Sequence, residues 1–472
     1  MTDITPAKSA TEHTLSRSLR PRHISMIAVG GIIGAGFLVG SSVAIKAAGP
    51  ACVISYALTG GLLFLFMRML GEMCVAMPEV RSFIEFGRLG LGQWAGFTVG
   101  WLYWYFWIVV IPVEAIAGAV ILRSWLPLPI WQLGVSLIAV TTAVNLVSAR
   151  AYGEFEFWFS SIKVAAIIAF IVISVSYALG VSSPSGPTFS NLVSHGGFLP
   201  HGAVAVVATV TTVIFSMQGT EVVTIAAAES AEPSRAVAQL GFSVILRVVA
   251  FFVLSVLMVL TIVPWTRITV GQSPFTYALQ TMHIPFAPVL MSAIILTAVM
   301  SCLNSAFYVA SRVLFAMAEC GDAPRWLVPT NTRRVPARSV LLGSAAGVAG
   351  IIAATFSPGV VFSFLVNASG ATIVLVYVAI AISHVRLRRI HETHGGLTLV
   401  LPMWFFPWLS YFVIAAMTAV LFAMACTPEL ASQFWTSMLT AAVVLAIYTI
   451  VRRRRLQAAS KPHQGAMSQQ GT

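Results

Sequence analysis

Residues 30–36 read Gly-Gly-Ile-Ile-Gly-Ala-Gly and lie inside an apolar run from about residue 24 to residue 48. Four glycines in seven positions oppose helix by about 1 kcal/mol each relative to alanine. An unwound stretch in hydrocarbon frees backbone N–H and C=O groups that lipid cannot satisfy. The inner end of the outer half-helix then offers N–H groups and the positive end of a dipole, which suit a carboxylate. The same glycines also fit close helix packing, because Gly30–Gly34 and Gly36–Gly40 are both G-x-x-x-G pairs. Spacing alone does not separate the two. A second apolar run, about 203–228, is interrupted at Ser216-Met-Gln-Gly-Thr-Glu221.

Ionisable side chains sit within other apolar runs. Lys163 either loses its proton as its hydration changes, which burial favours in a lysine, or snorkels to water. Glu114 is placed to pair with a base, to take a proton or to select an amine. Glu221 follows the second interruption and suits either a proton pathway or the stabilisation of a half-helix. Arg68 and Glu72, four residues apart, predict a pair on one helix face. Ser301, Asn304 and Ser305 share a face and serve either an ion position or interhelical hydrogen bonds. The aromatic stretch Trp101 to Trp107 reads as interfacial anchors or as one wall of a site.

The elements that must position these groups are membrane-spanning helices. The chain has 472 residues, 58% hydrophobic and 9% charged, and a mean hydropathy of +0.90; soluble domains do not have this balance. Barrel-style alternation is missing, so the spans are helical. Twelve are expected: 24–48, 51–77, 94–122, 129–148, 157–179, 203–228, 239–263, 288–318, 339–356, 359–383, 404–426 and 434–451. Residues 149–156 are expected to be a linker and 384–394 a cytoplasmic loop with a solvated His391 and His394. Residues 1–23 carry no apolar stretch of the kind a cleavable signal needs.

The net charge of +12 lies in loops and does not form a nucleic-acid surface. Placing residues 1–23 and 452–472 in the cytoplasm puts about 20 of the 27 Lys and Arg on that side, with Lys46, Arg123 and Arg267 outside and Arg68, Lys163, Arg247 and Arg312 within spans. Arg452 to Arg455 suit anionic lipid. Five scattered cysteines (Cys52, Cys74, Cys302, Cys320, Cys426) form no C-x-x-C pair, so neither a metal site nor a disulfide framework is expected. No P-loop and no nucleophile–base constellation is present, so no enzyme and no cofactor is expected.

Two interruptions five spans apart predict an inverted repeat, since an odd number of spans reverses topology, with a substrate at mid-membrane. Gly30-Gly-Ile-Ile-Gly-Ala-Gly-Phe-Leu-Val-Gly-Ser41 resembles the first-helix signature of the bacterial amino-acid transporter family, within the amino acid–polyamine–organocation superfamily. Ala48-Gly-Pro50, Met67-Arg-Met-Leu-Gly-Glu-Met73, Gly153-Glu-Phe-Glu-Phe-Trp158 and Glu221-Val-Val-Thr-Ile-Ala-Ala-Ala-Glu229 agree. The resemblance covers about residues 15–455. Gly100 to Trp107, Val110 to Glu114, Ser301 to Ala306 and Gly321 to Pro324 look closest to members that carry 4-aminobutyrate (GABA).

The resemblance implies an all-α LeuT-type fold: a five-helix repeat at 24–180, an inverted one at 203–383, and two further helices at 404–451. It implies proton-driven import of a small zwitterionic amino acid through a bacterial inner membrane. The substrate carboxylate would meet backbone N–H groups at Ile33, Gly34, Ala35 and Gly36, and its ammonium the carbonyls near Gly30, Phe215, Ser216 and Gln218. Lys163 matches a fifth-helix lysine that would stand in for a sodium ion, with Glu114 and Glu221 as further proton-coupling candidates. Where the resemblance leads one to expect Phe-Met-Gly-Ala-Glu, this chain has Met217-Gln-Gly-Thr-Glu221, which puts an extra amide, Gln218, beside the site and the exact substrate in doubt. Exchange, a different amino acid such as an aromatic or proline-like one, and a non-transporting sensor are the rival functions.

Overall fold

The computed structural model describes residues 32–77, 79–80, 82–147, 149–181, 188–217, 219, 221, 249–394 and 401–459. They are helical almost throughout. The first span is broken: Ile32–Gly34 are non-helical, α1 (Ala35–Leu38) is a single turn, and α2 (Ser41–Ala48) completes the arm. Gly49 turns the chain with φ +62°; an added Cβ there would lie 2.4 Å from Pro200 Cγ, so no larger residue fits. The spans then follow as α3 (Cys52–Ala76), the short amphipathic α4 (Phe83–Leu91), α5 (Gln93–Arg123), α6 (Ile130–Val147) and α7 (Ala149–Ala178). The second half runs through α8 (Gly202–Met217), α9 (Val249–Ile262), α10 (Pro274–Thr281), α11 (Ala287–Glu319), α12 (Ala337–Ala354), α13 (Pro358–His394), α14 (Trp408–Cys426) and α15 (Pro428–Ala459).

Nine candidates among the described residues are long and apolar enough to cross a membrane, so the protein is polytopic. Ala35–Ala76 among them comprises two arms, and α8 and α9 are shorter apolar helices. The core is built around α5, which packs against α11, α12 and α13. Helix association in lipid depends on close approach and interhelical hydrogen bonds, because lipid tails are as apolar as the side chains. Both are present. Gly347 and Gly350 let α12 approach α5 at Ile111 and Pro112, where added Cβ atoms would sit 2.6 and 2.4 Å away. Asn145 joins Asn304 (2.7 Å), Thr142 joins Ser344 (2.7 Å) and Thr212 joins Asn367 (2.8 Å).

Three expectations are corrected. The expected linker 149–156 is the first two turns of α7: it contains no proline and one glycine, so nothing stops the helix. The helix expected to end at 383 continues to His394, supported by the i, i+4 pair Arg388–Glu392 at 3.0 Å and by His391 Nδ1 at 2.7 Å from Leu387 O. The loop after Pro264 contains α10, started by Ser273 accepting from Thr276 N and by Pro274 at the first helical position.

Candidate functional site

The unwound segment of the first span is buried, with Ile33 fully enclosed. The Ala35 N–H donates to the Glu114 carboxylate, 3.0 Å from Oε2 and 3.2 Å from Oε1. Glu114 therefore occupies the anion position at the start of α1. Gly34 has no room for a side chain: an added Cβ would lie 2.6 Å from Cys302 Sγ and 2.8 Å from Glu114 Oε1. Cys302 Sγ and the Glu114 carboxylate thus both flank Gly34.

The second break faces the first. Helix α8 stops at Met217, and Gly219 takes φ +105°, a left-handed conformation that suits glycine. Ending the helix leaves its last carbonyls without intrahelical donors. Ser216 Oγ donates to the Gly36 carbonyl. An added Cβ at Gly36 would meet the Phe215 ring at 2.9 Å and its carbonyl oxygen at 3.4 Å. Gly34, Ala35, Gly36, Phe215, Ser216 and Glu114 thus converge; Gly30 and Gln218 lie outside the described residues. Within the aromatic stretch of α5, Tyr103, Phe106 and Trp107 are buried, and Trp101, Trp104 and Tyr105 are half-buried; the Phe106 and Phe215 rings stand 6.1 Å apart.

Glu221 closes the second break on itself. Its Oε2 accepts from Gly219 N at 3.2 Å and from Tyr377 OH of α13 at 3.0 Å, and its Oε1 accepts from Tyr103 OH of α5 at 3.2 Å. Donors from α5, α13 and the neighbouring backbone hold this buried carboxylate in one orientation.

Lys163 does not snorkel. Its side chain is fully buried, with Nζ 3.8 Å from Glu156 Oε1. Glu156 also accepts from Ser301 Oγ (2.6 Å to each oxygen), Ser160 Oγ (3.0 Å) and Ser305 Oγ (3.5 Å). Lys163 also interacts electrostatically with Glu114 and Cys302, which links this cluster to the first break. The sequence reading left Glu156 in a linker and missed it. A signal was available, since Glu156, Ser160 and Lys163 fall at i, i+4 and i+7 on one helix face. Ser301 and Ser305 join that cluster, whereas Asn304 turns away to Asn145.

The expected Arg68–Glu72 pair is replaced by longer-range partners. Arg68 donates to Pro402 O (2.9 and 3.2 Å) and stands 5.0 Å from the Trp404 ring. Glu72 takes Arg388 Nη1 at 3.1 Å, His384 Nε2 at 3.2 Å and Met403 N at 2.5 Å. At the same end, Arg88 of α4 bridges Glu85 (3.0 Å) and Asp322 (2.5 Å), tying α4 to the end of α11. Among the described residues no three His, Cys, Asp or Glu side chains converge as a metal site requires.

The model of the family described as amino acid permease matches residues 23–460. The gamma-aminobutyric acid permease of Bacillus subtilis is 40% identical over 95% of this chain and 96% of its own. The aromatic amino acid transport protein AroP of Corynebacterium glutamicum is 37% identical over 86% of this chain and 89% of its own. A crystal structure of a manganese transporter from Eremococcus coleocola covers 95% of this chain and 99% of its own, with a TM-score of 0.57 and 11% identity, a likeness of fold.

Proposed function

The chain belongs to the amino acid permease family, and from that premise we propose that it imports a small zwitterionic amino acid, 4-aminobutyrate first, together with protons across a bacterial inner membrane. It is a transporter and not an enzyme. Both termini are cytoplasmic in this reading, because that orientation collects about 20 of the 27 Lys and Arg on the inner side. Residues 24–180 and 203–383 form the two inverted repeats, and rocking of the bundle holding the two broken helices alternates access.

The observation that carries the reading is the meeting of the two breaks, with Ser216 on Gly36 and the Glu114 carboxylate on Ala35 N–H. A substrate carboxylate needs that N–H and its neighbours at Ile33, Gly34 and Gly36. Glu114 holds the same place, so it must swing away or take a proton before the substrate binds; two carboxylates do not share one donor site. Protonation of Glu114 therefore ties substrate entry to a proton. The substrate ammonium goes to the carbonyls at the end of α8, around Phe215 and Ser216. Lys163 and Glu156 form the second proton-responsive pair, beside the first break, and hold α7 to α11 until their charge state changes. Glu221 serves as a cap that keeps the second break in shape.

A second reading, an aromatic substrate, is favoured by the AroP relative and by the Phe106–Phe215 wall. Uptake of labelled 4-aminobutyrate into proteoliposomes under an imposed inward proton gradient, competed by a panel of amino acids, tests both. Accumulation that an ionophore abolishes supports the first reading. Accumulation of phenylalanine with 4-aminobutyrate ignored supports the second, and binding without accumulation of any amino acid overturns both.

A further inference from the structure

We propose that the crevice between the end of α13 and the first turns of α14 binds one anionic phospholipid of the cytoplasmic leaflet, its phosphate between Arg386 and Arg389 and its acyl chains along Ile382 and Ile414. The proposal rests on the orientation argued above. The crevice has a volume of about 500 Å³ and is lined by Ile382, Arg386, Arg389 and Thr393 from α13 and by Tyr411 and Ile414 from α14, among others. Positions 382, 386, 389 and 393 are spaced by four, three and four residues, so they run along one face of α13.

The three neighbouring arginines of α13 divide their work. Arg388 turns inward to Glu72 and Glu392. Arg386 and Arg389 turn to the crevice, whose described lining includes no carboxylate. Arg389 Nη2 donates to Tyr411 OH at 2.5 Å, and its guanidinium stands 5.7 Å from that ring, which holds the charge over the crevice mouth. Among the described residues no carboxylate pairs with either guanidinium group, and a phosphate answers their charge with bidentate hydrogen bonds. A free anion would leave the apolar walls without a complement. A lipid matches both parts of the site, the head to the arginines and the chains to the isoleucines. The tyrosine at this level also fits a membrane interface.

The experiment measures the thermal shift and native mass spectrum of the purified full chain with dioleoylphosphatidylglycerol, with dioleoylphosphatidylcholine and with inorganic phosphate. The anionic lipid alone is expected to raise Tm and to bind as a single retained molecule. Arg386→Gln with Arg389→Gln is expected to weaken that binding about thirtyfold, the effect of removing two charges. Ile414→Trp, which fills the crevice and keeps both arginines, is expected to lose the bound lipid too. Arg452→Gln with Arg453→Gln is expected to keep it. Equal shifts from the two lipids, or an anionic-lipid shift that survives both crevice variants, overturn the proposal. A shift from inorganic phosphate alone overturns it in favour of a soluble anion site. Orientation is read separately, by labelling Arg386→Cys with a membrane-impermeant maleimide above the background of the unsubstituted chain. Labelling only in opened cells is expected; labelling in intact cells overturns the leaflet assignment, and substrate uptake is measured independently of either result.

Discussion

The two broken helices each meet a buried carboxylate, but the carboxylates come from different places. At the first break, Glu114 reaches Ala35 N–H from α5, 79 residues along the chain. At the second, Glu221 reaches Gly219 N–H from two residues away, and two tyrosines from α5 and α13 hold its oxygens. A carboxylate brought from another helix can leave without unravelling the segment it caps. One that belongs to the segment, and is held by donors from two other helices, cannot. In the proposed cycle the first break exchanges its anion and the second keeps its own.

The sharpest way to break this comparison is to fill the exchange site itself. Gly34→Ala puts a methyl group 2.6 Å from Cys302 Sγ and is expected to reduce uptake to background. Size-exclusion chromatography of a fluorescent fusion then shows whether the chain still assembles. Retained uptake would mean that the first break does not hold substrate.

Next in size is the buried Lys163–Glu156 pair. Lys163→Met leaves Glu156 without its counter-charge and is expected to cost about 3–5 kcal/mol in stability; Glu156→Gln leaves Lys163 with Glu114 alone and is expected to cost less. The double variant is expected to recover much of that loss while uptake no longer follows the proton gradient and counterflow persists. A double variant that still accumulates substrate against a gradient would remove this pair from coupling.

The third prediction separates the two glutamates directly. Tyr103→Phe with Tyr377→Phe strips two hydrogen bonds from Glu221 and is expected to lower stability by about 1–3 kcal/mol in total, with the pH profile of uptake unchanged. Glu114→Gln keeps the size of the group and its acceptor oxygen. It is expected to leave Tm nearly unchanged and to flatten the rise of uptake with falling pH. If Glu221→Gln flattens that profile and Glu114→Gln does not, the assignment of roles is reversed.

The smallest effect is expected at the margin. Arg68→Gln loses contacts to Pro402 O and the Trp404 ring on a partly exposed side chain, and a loss of about 0.5–1.5 kcal/mol with normal uptake is expected in thermal melts.

The amino-acid sequence by itself determined the membrane class, the approximate spans and the positions of the two breaks. Each of these follows from local chemistry: long apolar runs cross lipid, and clustered glycines or a Ser-Met-Gln-Gly-Thr-Glu interruption stop a helix within it. The motifs also identified the family, since they lie in continuous stretches. The partners of the buried charges were not determined in this way. Arg68 and Glu72 look paired at i, i+4, yet each finds a better partner more than 300 residues on, at Pro402 and at Arg388 and Met403. Glu156 looks like linker until Ser301 and Ser305 of α11 close over it. Glu114 and Glu221 look alike as isolated acids in apolar runs, and only the packing of α5 against both segments separates their surroundings. A buried charge takes whichever donor the fold brings within about 3 Å, and that choice depends on helices that meet across the whole chain.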